Sequence, residues 1–227
     1  MISLHDARMQ RFQAAGLYVV VTSSFCDGRD PLDVIRAVLD HGVTLIQLRE
    51  KDLLLPDLLR LAEEARRLTD QAGALLIIND HLEAALAVDA DGVHLGQDDQ
   101  PVAQARLHAP DLVIGASTHS VQEALTAEAE GASYINIGPL FPTQTKTLAM
   151  PCLGLDGLRE ISRSVKIPFT VMGGIKQTHV PDLVEAGART LAVVTAVTAA
   201  PDPGPAAAQL LDAIRGPLRM KHPVMLS

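Results

Sequence analysis

Three residues spaced two apart, Gln47, Arg49 and Lys51, would present an amide and two cations to one side of an extended segment. Such a wall suits a pyrophosphate: the arginine grips with a planar fork and the lysine acts as a point charge. The competing reading is local pairing at a solvated strand end, Arg49 with Glu50 or Lys51 with Asp52. Two carboxylates, Asp80 and Asp99, stand just beyond two further apolar runs. Carboxylates at neighbouring strand ends can share a magnesium ion, which takes one or two of them and completes its octahedron with water and substrate phosphate. Each alone reads equally well as a helix cap. As a pair facing a cationic wall, they favour the metal.

Three more segments complete the chemical inventory. Residues 138–146 (GPLFPTQTK) are too polar and proline-bound for a helix and read as a long ligand-covering loop. That loop carries the hydroxyls of Thr143 and Thr145 and a third cation, Lys146. Gly173-Gly174 and Val194-Thr195 sit where backbone N–H groups could hold a second phosphate, with glycine allowing close approach. A tight turn is the plainer reading of the glycine pair.

All of these groups share one kind of address: each follows a short apolar run. Eight such runs read as strands, at 17–22, 45–49, 75–79, 92–95, 113–117, 134–137, 169–172 and 190–195, with helix-period segments between them. Leu58, Leu61, Ala62, Ala65 and Leu68 trace one helical stripe, and Leu125, Ala129 and Ala132 a weaker one. Ser120 with Glu123 reads as a capping box, and Pro101 as a first-turn proline. Eight β-then-α units with near-continuous apolar strands predict an α/β fold, a single (β/α)8 (TIM) barrel, over an open doubly wound sheet. The barrel is expected over about 17–214 of one domain spanning 1–227, with an extension at 1–16 and a tail at 215–227. The last helix is expected near 206–214, stopped by Gly216-Pro217. On a parallel barrel, seven of the eight strand ends then carry unusual polar or glycine residues on the C-terminal face, where such folds build active sites.

Composition narrows the rest. Hydrophobic residues make up 48% of the 227, enough for one sizeable core, while aromatics are only 3% and tryptophan is absent, which predicts an aliphatic barrel interior. A net charge of -8 argues against nucleic acid as a partner but leaves room for small phosphorylated ligands bound locally. Only Cys26 and Cys152 occur, without a Cys-x-x-Cys pair or Cys/His cluster, so a zinc site is not expected and reduced cytoplasmic thiols are. No secretory signal and no membrane-spanning run are read. His94 reads as a hydrogen-bonded inner histidine; His81, His119 and His179 fall near helix starts, and no Ser/His/Asp arrangement stands out.

At these positions the sequence resembles the thiamine phosphate synthase family. QLREK (47–51), ND (79–80), ADGVHLGQDD (90–99), IGAS (114–117), GP and TQTK (138–139, 143–146), GGI (173–175) and AVVTAV (192–197) carry the likeness, in order, across about 17–200. The resemblance implies that Gln47, Leu48, Arg49, Glu50, Lys51, Asn79, Ser117 and Lys146 bind a hydroxymethylpyrimidine diphosphate. Arg49, Lys51, Lys146 and Ser117 would be the catalytic groups, and Asp80 and Asp99 would hold Mg2+. Thr143, Gln144, Thr145, Gly174, Val194 and Thr195 would hold a thiazole phosphate, or its carboxylated form. The implied partners are these small molecules, with a homodimer left open, and the implied reaction forms thiamine phosphate and pyrophosphate. Ser23 and Ser133 stand where the pattern has acidic residues, Met172 where it has Ile, and Thr195 where it has Ser. A thiazole tautomerase of the same superfamily, a sugar-phosphate epimerase and a non-catalytic phosphate sensor are the alternatives; retention of Arg49, Lys51, Asp80, Asp99 and Lys146 favours the synthase.

Overall fold

The computed structural model describes residues 2–143 and 151–221, with side chains described to residue 216. Eight parallel strands close in sequence order: β1 (Leu17–Val21), β2 (Leu45–Leu48), β3 (Leu75–Asn79), β4 (Gly92–Leu95), β5 (Val113–Thr118), β6 (Tyr134–Ile137), β7 (Phe169–Val171) and β8 (Thr190–Val193). Val19 of β1 pairs with Ile46 of β2 and also with Val193 of β8, which seals the barrel and excludes the open sheet. Around it lie α1 (Leu4–Ala14), α2 (Pro31–Asp40), α3 (Leu55–Gln71), α4 (Leu82–Ala87), α5 (Val102–His108), α6 (Val121–Ala129), α7 (Gly154–Ser164), α8 (Val180–Glu185), α9 (Thr195–Thr198) and α10 (Pro203–Lys221). Among the described residues, no helix is long and apolar enough to cross a membrane.

The strands are apolar throughout because their two faces meet two cores. Outward residues such as Val19, Ile46, Leu76, Val93, Ile135 and Leu191 pack under the helices. Inward residues alternate with them and change character along the strand. Leu45 gives way to Gln47 and Arg49; Leu75 and Ile77 give way to Asn79. The floor of the barrel is therefore greasy and its mouth polar, and period-two alternation delivers every second side chain to the mouth.

The floor is not purely aliphatic, contrary to the composition-based expectation. Tyr18, Tyr134 and Phe12 occupy it, with the Phe12 and Tyr134 ring centroids 4.3 Å apart. Phe12 comes from α1, which plugs the N-terminal end. The helix is tied down by Arg8, whose Nε lies 3.4 Å from Asp91, itself 2.7 Å from Arg66. Phe12 is 1% exposed, so Phe12→Ala is expected to cost about 3–5 kcal/mol. Chemical denaturation checks this; an unchanged midpoint would show that the floor closes without α1.

Several local expectations are corrected. Thr195 does not end the eighth strand but opens α9, beyond β8. Residues 124 and 127, not 125, face the core: Ala124 and Ala127 are buried and Leu125 is 40% exposed. The small alanines let α6 approach the barrel closely, which a leucine stripe would prevent. Ser120 caps α6 through Glu123 N–H, but the Glu123 carboxylate accepts from the backbone and ring of His119, so the box is half formed. Pro101 is the N-cap of α5 rather than its first residue. The last helix, α10, spans Pro203–Lys221 instead of 206–214 and continues through Gly216-Pro217. Pro203 and Pro205 fit its first turn, where N–H donors have no partner to lose. Its buried face, Ala207, Leu210, Leu211 and Ile214, precedes the glycine–proline step and anchors the helix before it.

Candidate active site

The C-terminal mouth holds about 1120 Å3 of space open to solvent, and Gln47, Arg49 and Lys51 line one wall. Leu48 and Glu50 do not join them. The alternation that points their neighbours inward turns Leu48 into the core under the helices. Glu50 is buried on the outer side, where its Oε1 accepts from the backbone N–H and hydroxyl of Ser23 at 2.8 and 2.7 Å. Any role for these two side chains in gripping a ligand is thereby corrected: one packs the barrel and the other orders the turn after β1.

Arg49 is half-buried, and among the described residues its guanidinium has no hydrogen-bond or ion-pair partner. Beside it Asn79 is 6% exposed, with its side-chain N–H2 group buried and without an acceptor. Buried donors are nearly always satisfied, so a cation and an amide held this way describe a site built for an anion. Ser117, at the end of β5, faces them across the mouth.

The two carboxylates come together. Lys51 Nζ lies 2.8 Å from Asp80, Asp99 accepts from the Gly96 N–H at 2.6 Å, and Asp80 is close enough to Asp99 to act on its carboxyl. Burial first, and then the neighbouring Asp80 carboxyl, holds the Asp99 carboxyl above its usual range, with the Gly96 N–H pulling it back. Neither residue caps a helix among those described: α4 is preceded by His81 and α5 by Pro101. The capping reading is therefore set aside. Asp80 adopts φ 64°, a left-handed conformation that Asp and Asn tolerate better than most side chains.

Opposite this wall, Thr143, Gly173, Gly174, Val194 and Thr195 line the mouth. The chain after β6 runs alongside the end of β7, with Leu140 N–H bonding Met172 O at 2.9 Å and Phe141 N–H bonding Gly173 O at 3.0 Å. Gly174 has φ 62°, and a Cβ there would overlap the backbone of Phe141 and Pro142. Gly174→Ala is expected to lower stability by about 1 kcal/mol or more and to displace Thr143. A thermal melt with no shift would show that the segment 141–143 yields freely. Gln144, Thr145 and Lys146 lie outside the described residues.

Other mouth residues escaped the sequence reading. Tyr18, Asn136 and His119 line it, as does His94, which is 4% exposed and hydrogen-bonded at both ring nitrogens. Asn136 stands two residues before Gly138 on an inward-facing strand position, the one sequence signal that would have found it. Of the departures from the family pattern, Ser133 lies away from the mouth, where its hydroxyl accepts from Arg106 and from Ile114 N–H. Met172 lies at the mouth, with its sulfur 2.9 Å from the Asn136 amide.

The architecture and the site together define a (β/α)8-barrel protein whose mouth sets unpaired donors beside a two-carboxylate pocket. The chain belongs to the thiamine monophosphate synthase family, whose pattern matches residues 17–197. It is 47% identical over 194 residues to a thiamine-phosphate synthase of Chloroflexus aurantiacus, covering 86% of this chain and 90% of that one. A thiamine-phosphate synthase of Shouchella clausii is 42% identical over 199 residues, covering 87% and 95%. Among solved structures, a thiamine phosphate pyrophosphorylase of Pyrococcus furiosus superposes with a TM-score of 0.83 at 37% identity, covering 91% of this chain and 98% of that one.

Proposed function

We propose that the chain is a transferase that joins a hydroxymethylpyrimidine diphosphate to a thiazole phosphate, giving thiamine phosphate and pyrophosphate. Membership of the family supports the reaction. The observation that supports its placement is the half-buried Arg49 beside the acceptor-less Asn79 amide, a pair poised for a diphosphate.

The pyrimidine methylene breaks its bond to oxygen, and the electron pair leaves with pyrophosphate. The electron-rich aminopyrimidine carries the positive charge that results, and the thiazole nitrogen closes the new C–N bond with its lone pair. This route needs no nucleophile or strong base from the protein. Arg49 and Lys51, with Lys146, neutralise the leaving group, and Asn79 and Ser117 donate to its oxygens. Thr143, Gln144, Thr145, Gly174, Val194 and Thr195 hold the thiazole phosphate so that its ring faces the methylene.

Asp80 and Asp99 suit magnesium by their chemistry. They are two hard oxygen donors side by side, one of them with its affinity for a proton raised by burial first and by the neighbouring carboxyl second. Mg2+ needs no more than two carboxylates when substrate phosphate supplies the rest. Bound there, it would supply charge neutralisation to the diphosphate. The free Cys26 and Cys152 suit a reducing compartment, which supports a cytoplasmic setting.

Pyrophosphate release, followed while each substrate is withheld in turn, tests this reading. Release only when both substrates are present is expected. Release from the pyrimidine diphosphate alone would make the chain a hydrolase and overturn it.

A further inference from the structure

Beneath the mouth, hydrogen bonds run unbroken from one wall to the other. Gln47 Nε2 donates to the Tyr18 hydroxyl at 2.6 Å. The Tyr18 and Tyr134 hydroxyls lie 3.0 Å apart, Tyr134 Oη lies 2.9 Å from His94 Nδ1, and His94 Nε2 lies 2.9 Å from Ser117 Oγ. The line joins β2 to β5 through three side chains, of which Tyr18 and His94 reach the mouth from below and Tyr134 is fully buried.

Counting protons gives the line a direction. Burial raises both phenols well above their ordinary range, so each keeps its proton. Tyr18 accepts from Gln47, so it has one proton to give, and its remaining hydrogen-bond partner is Tyr134. Tyr134, accepting from Tyr18, gives its own proton to His94 Nδ1. The imidazole must then carry hydrogen on Nε2 and donate to Ser117. The reverse order would strand a buried phenolic proton without an acceptor, which folded proteins avoid. The sequence makes room for this arrangement at Gly115, the register partner of Tyr134, where any Cβ would overlap the tyrosine ring. Phe12 closes the line from below by packing on the same ring.

We propose that Tyr18, Tyr134 and His94 are positioning residues for the coupling reaction, a directed relay that holds His94 as its Nε2–H tautomer and so turns the Ser117 hydroxyl proton toward the anionic leaving group. With the opposite tautomer, Ser117 would spend its proton on His94 and offer only lone pairs to a diphosphate. This inference rests on the coupling reaction proposed above.

Two measurements on the purified full chain test it. Nitrogen-15 NMR of the histidine side chains should find His94 protonated at Nε2; an Nδ1–H tautomer in a wild type that couples its substrates overturns the relay while leaving the function standing. A wild type that forms no product sinks the functional reading and this inference together, whatever the tautomer. In kinetics, Tyr134→Phe removes one hydroxyl and keeps the packed ring, and kcat should fall about 10-fold with KM nearly unchanged. His94→Leu should lower kcat on the order of 100-fold, similar to losing one oriented donor, and His94→Gln should recover much of it through its amide. Because His94 acts through Ser117, His94→Leu should cost nothing more in a Ser117→Ala background. Multiplying effects in the double variant, or wild-type kcat in Tyr134→Phe, would overturn the relay.

Discussion

Arg49→Ala lowers the coupling rate by about 100-fold or more, because it removes an oriented cation from the place where negative charge develops. Arg49→Lys recovers only part of this, since a point charge replaces a two-pronged fork. Folding should be nearly unaffected: among the described residues the guanidinium has no partner to lose, and the strand bond from Arg49 N–H to Val21 O at 2.8 Å belongs to the backbone. Steady-state kinetics with both substrates, beside a thermal melt, checks the pair. Near-wild-type kcat/KM in Arg49→Ala would remove the leaving group from this wall.

The second large effect is expected at the carboxylates. Asp80→Asn and Asp99→Asn keep an oxygen for their local contacts, and asparagine suits the left-handed backbone at position 80 as well as aspartate does. Both variants should therefore melt close to the wild type. Each should lose activity on the order of 100-fold at low magnesium, with partial recovery as magnesium is raised. Full activity of both at low magnesium would contradict a shared ion. A fall in stability equal to the fall in activity would return them to a structural role.

The polar mouth was legible because barrel strands obey a period of two. Gln47, Arg49 and Lys51 reveal one wall, and that same alternation should have removed Leu48 and Glu50 from it. They entered as parts of a contiguous motif, and contiguity ignores which way a strand points its side chains. Asp80 and Asp99 were visible as strand-end carboxylates, yet their approach to each other depends on how the chain folds back through Gly96. Of the relay, only His94 was legible, as a hydrogen-bonded inner histidine, and its partners were not. Tyr18, Tyr134 and His94 stand on β1, β6 and β4 and meet only once the barrel closes, and nothing local to any of them names a partner 40 or 116 residues away. Gly216-Pro217 misled because turn chemistry yields to a helix already anchored by Leu210, Leu211 and Ile214.

If this mouth couples two rings, the product itself is the most direct readout. The purified chain would be incubated with the pyrimidine diphosphate, the thiazole phosphate and magnesium, and the mixture resolved by chromatography with mass detection. Thiamine phosphate and pyrophosphate should appear in equal amounts, with the wild type far ahead of Arg49→Ala. An altered thiazole phosphate with the pyrimidine diphosphate left intact, or no change in either substrate, would contradict the claim.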